Sequence, residues 1–276
     1  MASKDQRRRQ LAREKYQRQQ ERRAAQRAKA RRRNTVIGVV VAVAVAAGAA
    51  AWASTGLGGD GHKTDAAAPS GSATTPGADH KGADPCGKPA PGSPGTKQWK
   101  SEPAMTIDKG ASYTMDLRTT CGDIALKLDA AAAPHTVNSF NFLAAQGFFD
   151  HTRCHRLTTS APLYVLQCGD PKGTGQGGPG YTIPDENLKA PAISKGTYPA
   201  GTVAMANTGQ PHSGGSQFFL VYKDSRLPAS YTPFGTVSPE GMKVLQKIAA
   251  AGESTGSGDG APNATVVVDK ATVTRS

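Results

Sequence analysis

The sequence predicts a mainly β domain over residues 105–276, arranged as a closed antiparallel barrel of about eight strands with two capping helices. Three observations lead to this fold class. Apolar and polar residues alternate in short segments such as DIALKLD, as in half-buried strands. Two other segments repeat their apolar residues at helical spacing. Glycine and proline are frequent between the segments, as expected of tight turns.

The strands follow from this alternation. The segments SYTMDLRTT and DIALKLD, joined around Gly122, are typical of a hairpin with Ile124, Leu126 and Leu128 on one face. The same reasoning predicts further strands near residues 154–158, 163–167, 202–205, 217–221 and 234–237, and a last strand over residues 265–273.

Two helices are predicted within the domain. The first begins at Pro134, which suits a first helical turn, and ends at Gly147, a natural terminator. The second runs from Pro239 to Ala250. Apolar residues recur on one side of each helix: Val137, Phe140 and Ala144 in the first, and Met242, Leu245, Ile248 and Ala249 in the second.

The positive charge of the chain is concentrated in its first residues. The formal net charge is +12, but residues 1–34 contain 14 Lys and Arg against three acidic residues, and the remainder is nearly neutral. The segment has no apolar stripe for a coiled coil and no aromatic platform for RNA, so no nucleic acid is expected. We expect this basic cytoplasmic segment to set membrane topology, with contact to anionic lipid headgroups as a second role.

Residues 35–53 contain no charged residue. A helix of this length, at about 1.5 Å per residue, nearly spans the roughly 30 Å hydrocarbon core of a bilayer. We predict a single transmembrane signal-anchor, with the N-terminus in the cytoplasm and the C-terminal domain outside it. The alternatives are a buried core helix and a signal peptide cleaved near Ala53, which would give a secreted protein.

Residues 54–104 are rich in glycine, proline, serine, alanine and threonine. Such a composition buries too little apolar surface to offset the conformational entropy lost on folding. The segment is therefore predicted to be a flexible linker between the anchor and the domain.

The four cysteines all follow the predicted anchor, in a compartment that permits disulfides. Three pairings are open, and free buried thiols are the alternative. We favour Cys154–Cys168, which flank one hairpin, and Cys86–Cys121, which would join the end of the linker to the domain. Although His151 and His155 lie near Cys154, no second cluster of ligands accompanies them, so no metal site is predicted.

Six motifs occur in the domain in one order: FFDHTRCHRL, VLQCGD, GTGQGGPGYTIPDE, VAMANTG, GGSQFFLVY and TPFGTV. Together they resemble the cyclophilins, the barrel-shaped peptidyl-prolyl cis–trans isomerases. The resemblance covers residues from about 108 to 276. It does not cover the tail, anchor and linker, although that arrangement is similar to exported, membrane-tethered cyclophilins of actinobacteria.

The resemblance implies an isomerase that uses no cofactor and no metal. Arg156, in the segment CHRL, matches the catalytic arginine of the family. Resonance holds a peptide bond to proline planar, with a rotation barrier of about 18–20 kcal/mol. An arginine that donates to the proline nitrogen binds the twisted amide better than the planar one, and this difference lowers the barrier.

The resemblance also implies a groove for proline-containing unfolded or extended polypeptides. Val165, Phe219 and Leu227 match the apolar pocket for the proline ring. Tyr164 falls at a phenylalanine position of the family beside that pocket. Gln167 matches a glutamine that orients the arginine and contacts the substrate.

Four more residues complete the implied groove. Ala206 and Asn207 match positions that pair with the substrate backbone. Gln217 shares a strand face with Phe219, because side chains alternate along a strand, and it matches the glutamine of the family motif GSQFF. Tyr231 replaces a common histidine at the pocket rim.

One departure from the family pattern motivates an alternative function. The segment LTTSAPLYVL, between Arg156 and Gln167, is longer than is common in the family. A reshaped hairpin would favour a non-catalytic module that binds proline peptides, or a chaperone, tethered to the membrane. In either case we expect a monomer that acts on exported proteins.

Overall fold

The computed structural model describes residues 84–276. The predicted basic segment, the anchor at 35–53 and residues 54–83 of the predicted linker lie outside the described residues. Within residues 84–276, no helix combines the length and apolar character needed to cross a bilayer.

The elements were predicted closely where they are long. The described region contains two α-helices and twelve strands, four of which have only two residues and therefore show no alternation in the sequence. The bounds are β1 Tyr113–Thr119, β2 Gly122–Leu128, α1 Pro134–Ala145, β3 Thr152–Arg153, β4 Arg156–Thr158, β5 Val165–Cys168, β6 Thr197–Tyr198, β7 Thr202–Met205, β8 Phe218–Val221, β9 Ser225–Arg226, β10 Pro233–Val237, α2 Pro239–Ala250, β11 Asp259–Gly260 and β12 Val267–Arg275, with a 3₁₀ turn at Pro191–Ile193.

The mainly β fold with two helices is confirmed, but the sheet differs from the predicted closed ring of eight strands. Ten strands form one antiparallel sheet in the order β11-β4-β5-β8-β7-β10-β2-β1-β12-β3, while β6 and β9 pair separately. The short strands β3 and β4 are two residues apart in the chain, yet β3 pairs with β12 and β4 with β5. The sheet must therefore curl until its two ends approach each other.

The hairpin of β1 and β2 turns one face toward the core of the curled sheet. Ile124, Leu126 and Leu128 are buried and alternate with residues that are more exposed, as the sequence predicts. They belong to the main core, together with residues of both helices and of β12. Period-two alternation thus sends one face of each strand inward.

The two helices pack on this core. Helix α1 begins at Pro134 as predicted, and its last residue is Ala145. Gln146 is the C-cap, and the predicted terminator Gly147 follows with φ +68°, the left-handed conformation in which glycine ends a helix. Helix α2 has the predicted bounds. Ser238 accepts a hydrogen bond from the Gly241 N–H at 3.0 Å, which caps the helix at its first residue.

Residues 84–104, which the sequence assigns to the linker, lie along the domain without regular secondary structure. We call this segment the strap. The Trp99 ring meets Phe142 edge-on at 5.2 Å, and the Trp99 N–H donates to the Pro179 carbonyl at 2.8 Å. The Ala90 N–H donates to the Asp269 carboxylate at 3.0 Å. The packed region therefore begins well before residue 105, because a few apolar and polar anchors suffice to order a segment whose composition is that of a linker.

Both favoured disulfides are confirmed. Cys86 joins Cys121 and so ties the strap to the turn between β1 and β2. Cys154 joins Cys168 and so links the segment between β3 and β4 to the end of β5. The first bond fastens a segment outside the sheet, and the second joins residues in or next to strands of the sheet.

We expect Cys86→Ala to lower the free energy of unfolding by about 2–4 kcal/mol, because opening the 35-residue separation to Cys121 restores conformational entropy to the unfolded chain. Urea unfolding of both proteins measures the difference. Lys88→Ala, at an exposed strap position next to the bond, is the matched control. Equal unfolding midpoints for Cys86→Ala and the control would show that the strap adds no stability through this bond.

Candidate active site

The predicted site lies on the outer face of the sheet. Cross-strand pairing aligns Arg156 with Gln167 and Gln167 with Phe219. The next row along these strands, Leu157, Leu166 and Leu220, is buried in the main core. Since neighbouring residues of a strand face opposite ways, the row that begins with Arg156 faces outward.

A cavity of about 180 Å³ opens beside this outward row. Its apolar wall rests on a second buried cluster, separate from the main core, that includes Phe219, Tyr198 and Val165. The cavity is lined by Arg156, Leu163, Val165, Gln167, Ala206, Asn207, Phe219, Leu227 and Tyr231. Eight of these nine residues are predicted site residues, which the fold brings together from four separate regions of the sequence.

Arg156 is held at the mouth of this cavity. Its Nε and Nη2 donate to the two carboxylate oxygens of Asp259, each at 2.7 Å, and its Nη1 donates to Gln167 Oε1 at 3.2 Å. The hydrogen bond to Asp259, opposed by partial burial, raises the pKa of Arg156 further above its ordinary value. The guanidinium is therefore a permanent donor and not a proton-transfer group.

His155 precedes Arg156 but adds no charge to it at neutral pH. Burial lowers the pKa of His155, against the opposing effect of the Asp170 carboxylate, and the neighbouring guanidinium groups lower it further. The imidazole is therefore neutral under physiological conditions. The positive charge at this edge of the cavity comes from Arg156.

A chain of side-chain amides continues from Arg156 along the groove. Gln167 Nε2 donates to Gln217 Oε1 at 2.9 Å, and Gln217 Nε2 donates to the Gly177 carbonyl at 2.9 Å. Each amide uses its acceptor on one side and its donor on the other, so the orientation of both amides is set. The predicted role of Gln167 in orienting Arg156 agrees with this geometry.

Aromatic side chains form the far wall of the cavity. The ring of Tyr231 meets Phe219 edge-on, with centroids 5.6 Å apart. The buried Tyr198 hydroxyl donates to the Tyr231 carbonyl at 2.8 Å and accepts from the Tyr231 N–H at 3.2 Å. Burial raises the pKa of Tyr198 to about 12, so its hydroxyl stays protonated and able to donate. Sequence reasoning missed Tyr198, which supports the rim from behind.

A larger cleft of about 720 Å³ adjoins the cavity, and Gln167, Ala206 and Asn207 line both. The Asn207 side chain donates to the Ser230 carbonyl at 2.7 Å and accepts from the Gly209 N–H at 3.0 Å. Gln217 lies in this cleft and not in the smaller cavity. The groove is therefore long enough for an extended segment beside the cavity.

Tyr164, predicted beside the pocket, is not among the residues that line the cavity. Its ring packs edge-on against Tyr222 at 6.0 Å, with Lys223 Nζ 4.6 Å from its centroid. Leu163 takes the predicted place of Tyr164, since Leu163, Val165 and Gln167 share one face of an extended segment. The alternation from Gln167 backward, through Val165 to Leu163, was the sequence signal that could have found Leu163.

One wall of the larger cleft is a glycine-rich loop built around Asp170. The Asp170 side chain is buried and accepts from the backbone N–H groups of Lys172, Thr174 and Gly175 at 2.6–2.9 Å. Burial by itself would raise the pKa of Asp170, but the backbone hydrogen bonds outweigh it and the pKa is lowered. Any side chain at Gly177 would collide with the carboxylate, because its Cβ would lie 1.8 Å from Asp170 Oδ1.

The lowered pKa of Asp170 gives a pH dependence to stability. The folded state stabilises the ionised Asp170 carboxylate, whereas an aspartate in the unfolded chain has a pKa of about 3.9. The resulting stability is complete above about pH 5. It is lost as the pH falls through the lower pKa of the folded state. We expect Asp170→Asn to reduce the unfolding free energy at pH 7 and to flatten its decline below about pH 4. Chemical denaturation across pH 2–7 measures both, with exposed Asp123→Asn as the control. An unchanged acid slope would contradict this role of Asp170.

Most of the described domain matches a known protein family. The family described as cyclophilin type peptidyl-prolyl cis-trans isomerase/CLD matches residues 114–273. The chain is 49% identical over 170 residues to a probable peptidyl-prolyl cis-trans isomerase B of Mycobacterium leprae, covering 58% of this chain and 56% of the relative. It is 40% identical over 134 residues to a peptidyl-prolyl cis-trans isomerase of Helicobacter pylori, covering 48% of this chain and 77% of that one.

Among solved structures, a cyclophilin type isomerase of Cryptosporidium parvum aligns with a TM-score of 0.49 and 25% identity, covering 59% of this chain and 98% of that one. The chain spans about half the length of the mycobacterial relatives that it matches. The family match covers more than half of the chain and includes Arg156, Gln167 and Phe219. The chain therefore belongs to the cyclophilin-type peptidyl-prolyl cis–trans isomerase family.

Proposed function

We propose that this protein catalyses cis–trans isomerisation of peptide bonds that precede proline. One observation carries the proposal: Arg156, held by Gln167 and Asp259, stands at the edge of a cavity of about 180 Å³ that has one apolar wall. The longer hairpin does not fill that cavity but contributes Leu163 to its wall. This arrangement favours turnover over the alternative of a module that only binds.

The cavity is suited to hold a proline ring while the bond before it rotates. Phe219 and Val165 provide a buried apolar surface, and Leu227 and Tyr231 border the opening. The adjoining cleft, with Ala206 and Asn207 at the junction, would receive the residues before proline as an extended chain. Fixing both sides of the bond leaves rotation about the amide as the remaining freedom.

The reaction requires no bond to be made or broken. As the amide twists, the proline nitrogen loses its conjugation and regains a lone pair that can accept a hydrogen bond. Arg156 can donate to this nitrogen in the twisted state, whereas the planar amide nitrogen is a poor acceptor. The interaction is therefore stronger in the transition state than in the ground state, which lowers the barrier of about 18–20 kcal/mol.

Function as an isomerase is tested by exchange spectroscopy on a short peptide that contains an Ala-Pro bond. The full chain, extracted in detergent, is expected to raise the cis–trans exchange rate of the peptide at substoichiometric concentration. Buffer with detergent alone gives the uncatalysed rate, which has a time constant of tens of seconds or longer. A chain that broadens the peptide resonances by binding, yet leaves the exchange rate unchanged, would instead establish the binding module.

We further propose that the substrates are exported proteins. Residues 35–53 would anchor the chain, with the basic segment at the cytoplasmic surface, and the domain would act outside the cytoplasm as a monomer. The two disulfides favour an oxidising compartment. Intact-mass measurement of the native protein, with and without reductant, distinguishes an anchored chain from one cleaved near Ala53 and counts the disulfides. A cytosolic, fully reduced protein would overturn this assignment.

A further inference from the structure

A carboxylate outside the cavity holds the guanidinium of Arg156. We propose that Asp259 is a positioning residue, which acts through Arg156 to keep its remaining donors directed at the substrate. The inference rests on the proposed isomerase function and deepens it. Asp259 itself does not line the cavity or the adjoining cleft.

The geometry of the pair determines which donors stay free. Asp259 occupies the fork formed by Nε and Nη2 of Arg156, with both distances at 2.7 Å, and Gln167 occupies one hydrogen of Nη1. A guanidinium has five N–H groups. Two hydrogens, one on each terminal nitrogen, have no partner among residues 84–276 and remain available to a ligand in the cavity.

Arg156 needs such a restraint because its side chain is 37% exposed. An exposed arginine samples many rotamers, and each of them except the productive one carries the donors away from the proline nitrogen. A single contact with Gln167 leaves rotation about that contact, whereas a two-point contact with a carboxylate also fixes the plane of the guanidinium. Together the two partners hold the group at three points.

The loop after α2 is built to present this carboxylate. Asp259 lies on β11, which pairs with β4 so that Asp259 is opposite Thr158, two residues after Arg156. Glu253 accepts from the Thr255 N–H at 2.6 Å and the Gly258 N–H at 2.8 Å, which shapes the turn before Asp259. At Gly258, φ is +91° and a Cβ would lie 2.1 Å from the Ser160 Oγ, so this position requires glycine.

The charge state of Asp259 is consistent with this role. The hydrogen bond from Arg156 lowers the pKa of Asp259, against a smaller opposing effect of burial. The carboxylate is therefore ionised at neutral pH and accepts two hydrogen bonds. A neutral amide of the same shape would turn its NH₂ group toward a guanidinium that also only donates, so it cannot reproduce the pair.

The test is a cycle of variants in the full chain, assayed for kcat/KM on a short Ala-Pro peptide and for peptide affinity by titration. Asp259→Asn is expected to lower kcat/KM about five- to tenfold, less than the roughly hundredfold cost of removing a transition-state donor outright. Peptide affinity and the unfolding midpoint are expected to stay as in the wild type. Asp259→Glu should recover most of the lost activity, because it restores a carboxylate at an exposed position.

Two further measurements separate positioning from a general effect. In an Arg156→Ala background, adding Asp259→Asn should change nothing, since a residue that acts through Arg156 has no effect without it. The Arg156 Nε–H resonance should be visible in the wild type and exchange-broadened in Asp259→Asn. Asp108→Asn breaks another exposed arginine–carboxylate pair, with Arg275 at 2.6 Å, and is the matched control.

The possible results test the positioning role of Asp259 and the catalytic role of Arg156 separately. Unchanged or increased activity of Asp259→Asn, with Arg156→Ala impaired, would overturn the positioning role but leave the isomerase function standing. An equal loss from Asp259→Asn in both backgrounds would also overturn it. If Arg156→Ala is as active as the wild type, the proposed catalytic assignment itself fails.

Discussion

Replacing Arg156 by alanine is expected to lower kcat/KM for a prolyl peptide by about a hundredfold or more, the usual cost of removing one donor that acts in the transition state. Peptide affinity is expected to change little, because Val165, Phe219 and Leu227 provide the apolar surface that receives the ring. The unfolding midpoint should also change little, since the ion pair with Asp259 is exposed and such pairs contribute at most about 1 kcal/mol.

The measurement combines an isomerisation assay with a binding titration on the same peptide. Arg156→Lys keeps the charge but loses the planar fork that meets Asp259, so we expect an intermediate rate. Arg153→Ala removes an exposed arginine three residues earlier on the same segment and serves as the control. A loss of affinity that accounts for the whole effect of Arg156→Ala would assign Arg156 to ground-state binding.

Replacing Phe218 by alanine is expected to destabilise the fold by about 3–5 kcal/mol, as is usual when a buried phenylalanine is truncated. The Phe218 ring is 1% exposed and meets Phe140 at 5.5 Å and Phe149 at 6.1 Å. Its removal leaves a cavity in the main core that these rings cannot fill without leaving their rotamers. Urea unfolding measures the loss.

The adjacent Phe219→Ala is the matched variant, because Phe219 faces the other way. Its ring is 5% exposed and lies in the cluster beneath the candidate site. We expect a smaller loss of stability than for Phe218→Ala, since the cavity beside Phe219 already opens to solvent, but a clear loss of affinity for prolyl peptides. Equal effects of the two variants on both properties would contradict the assignment of these neighbours to opposite faces.

Local alternation explains why much of the candidate site was predictable. Gln217 and Phe219 were expected on one strand face and Phe218 on the other, and the core assignments of Phe218 and Leu220 agree with this. The same rule explains why Leu163, and not Tyr164, lines the cavity. Tyr164 was assigned from family position across a hairpin of unusual length, whereas counting by twos from Gln167 leads to Val165 and Leu163.

Other features had no local signal. Asp259 lies 103 residues after Arg156 in the chain, within a glycine-rich stretch whose composition is typical of an ordinary loop. The strap has the composition of a linker, yet Trp99 and Cys86 bind it to the domain. Strands of two residues, such as β11, are too short to alternate.

The amino-acid sequence by itself determined the residue types of the cavity, the faces of the long strands and the start of each helix, because these depend on side-chain chemistry and on repeats of a few residues. Only the tertiary structure decided that Asp259 meets Arg156 and that the strap packs on the domain. These contacts depend on how distant loops meet when the sheet curls, and a hydrogen bond between distant residues leaves no periodic trace in the chain.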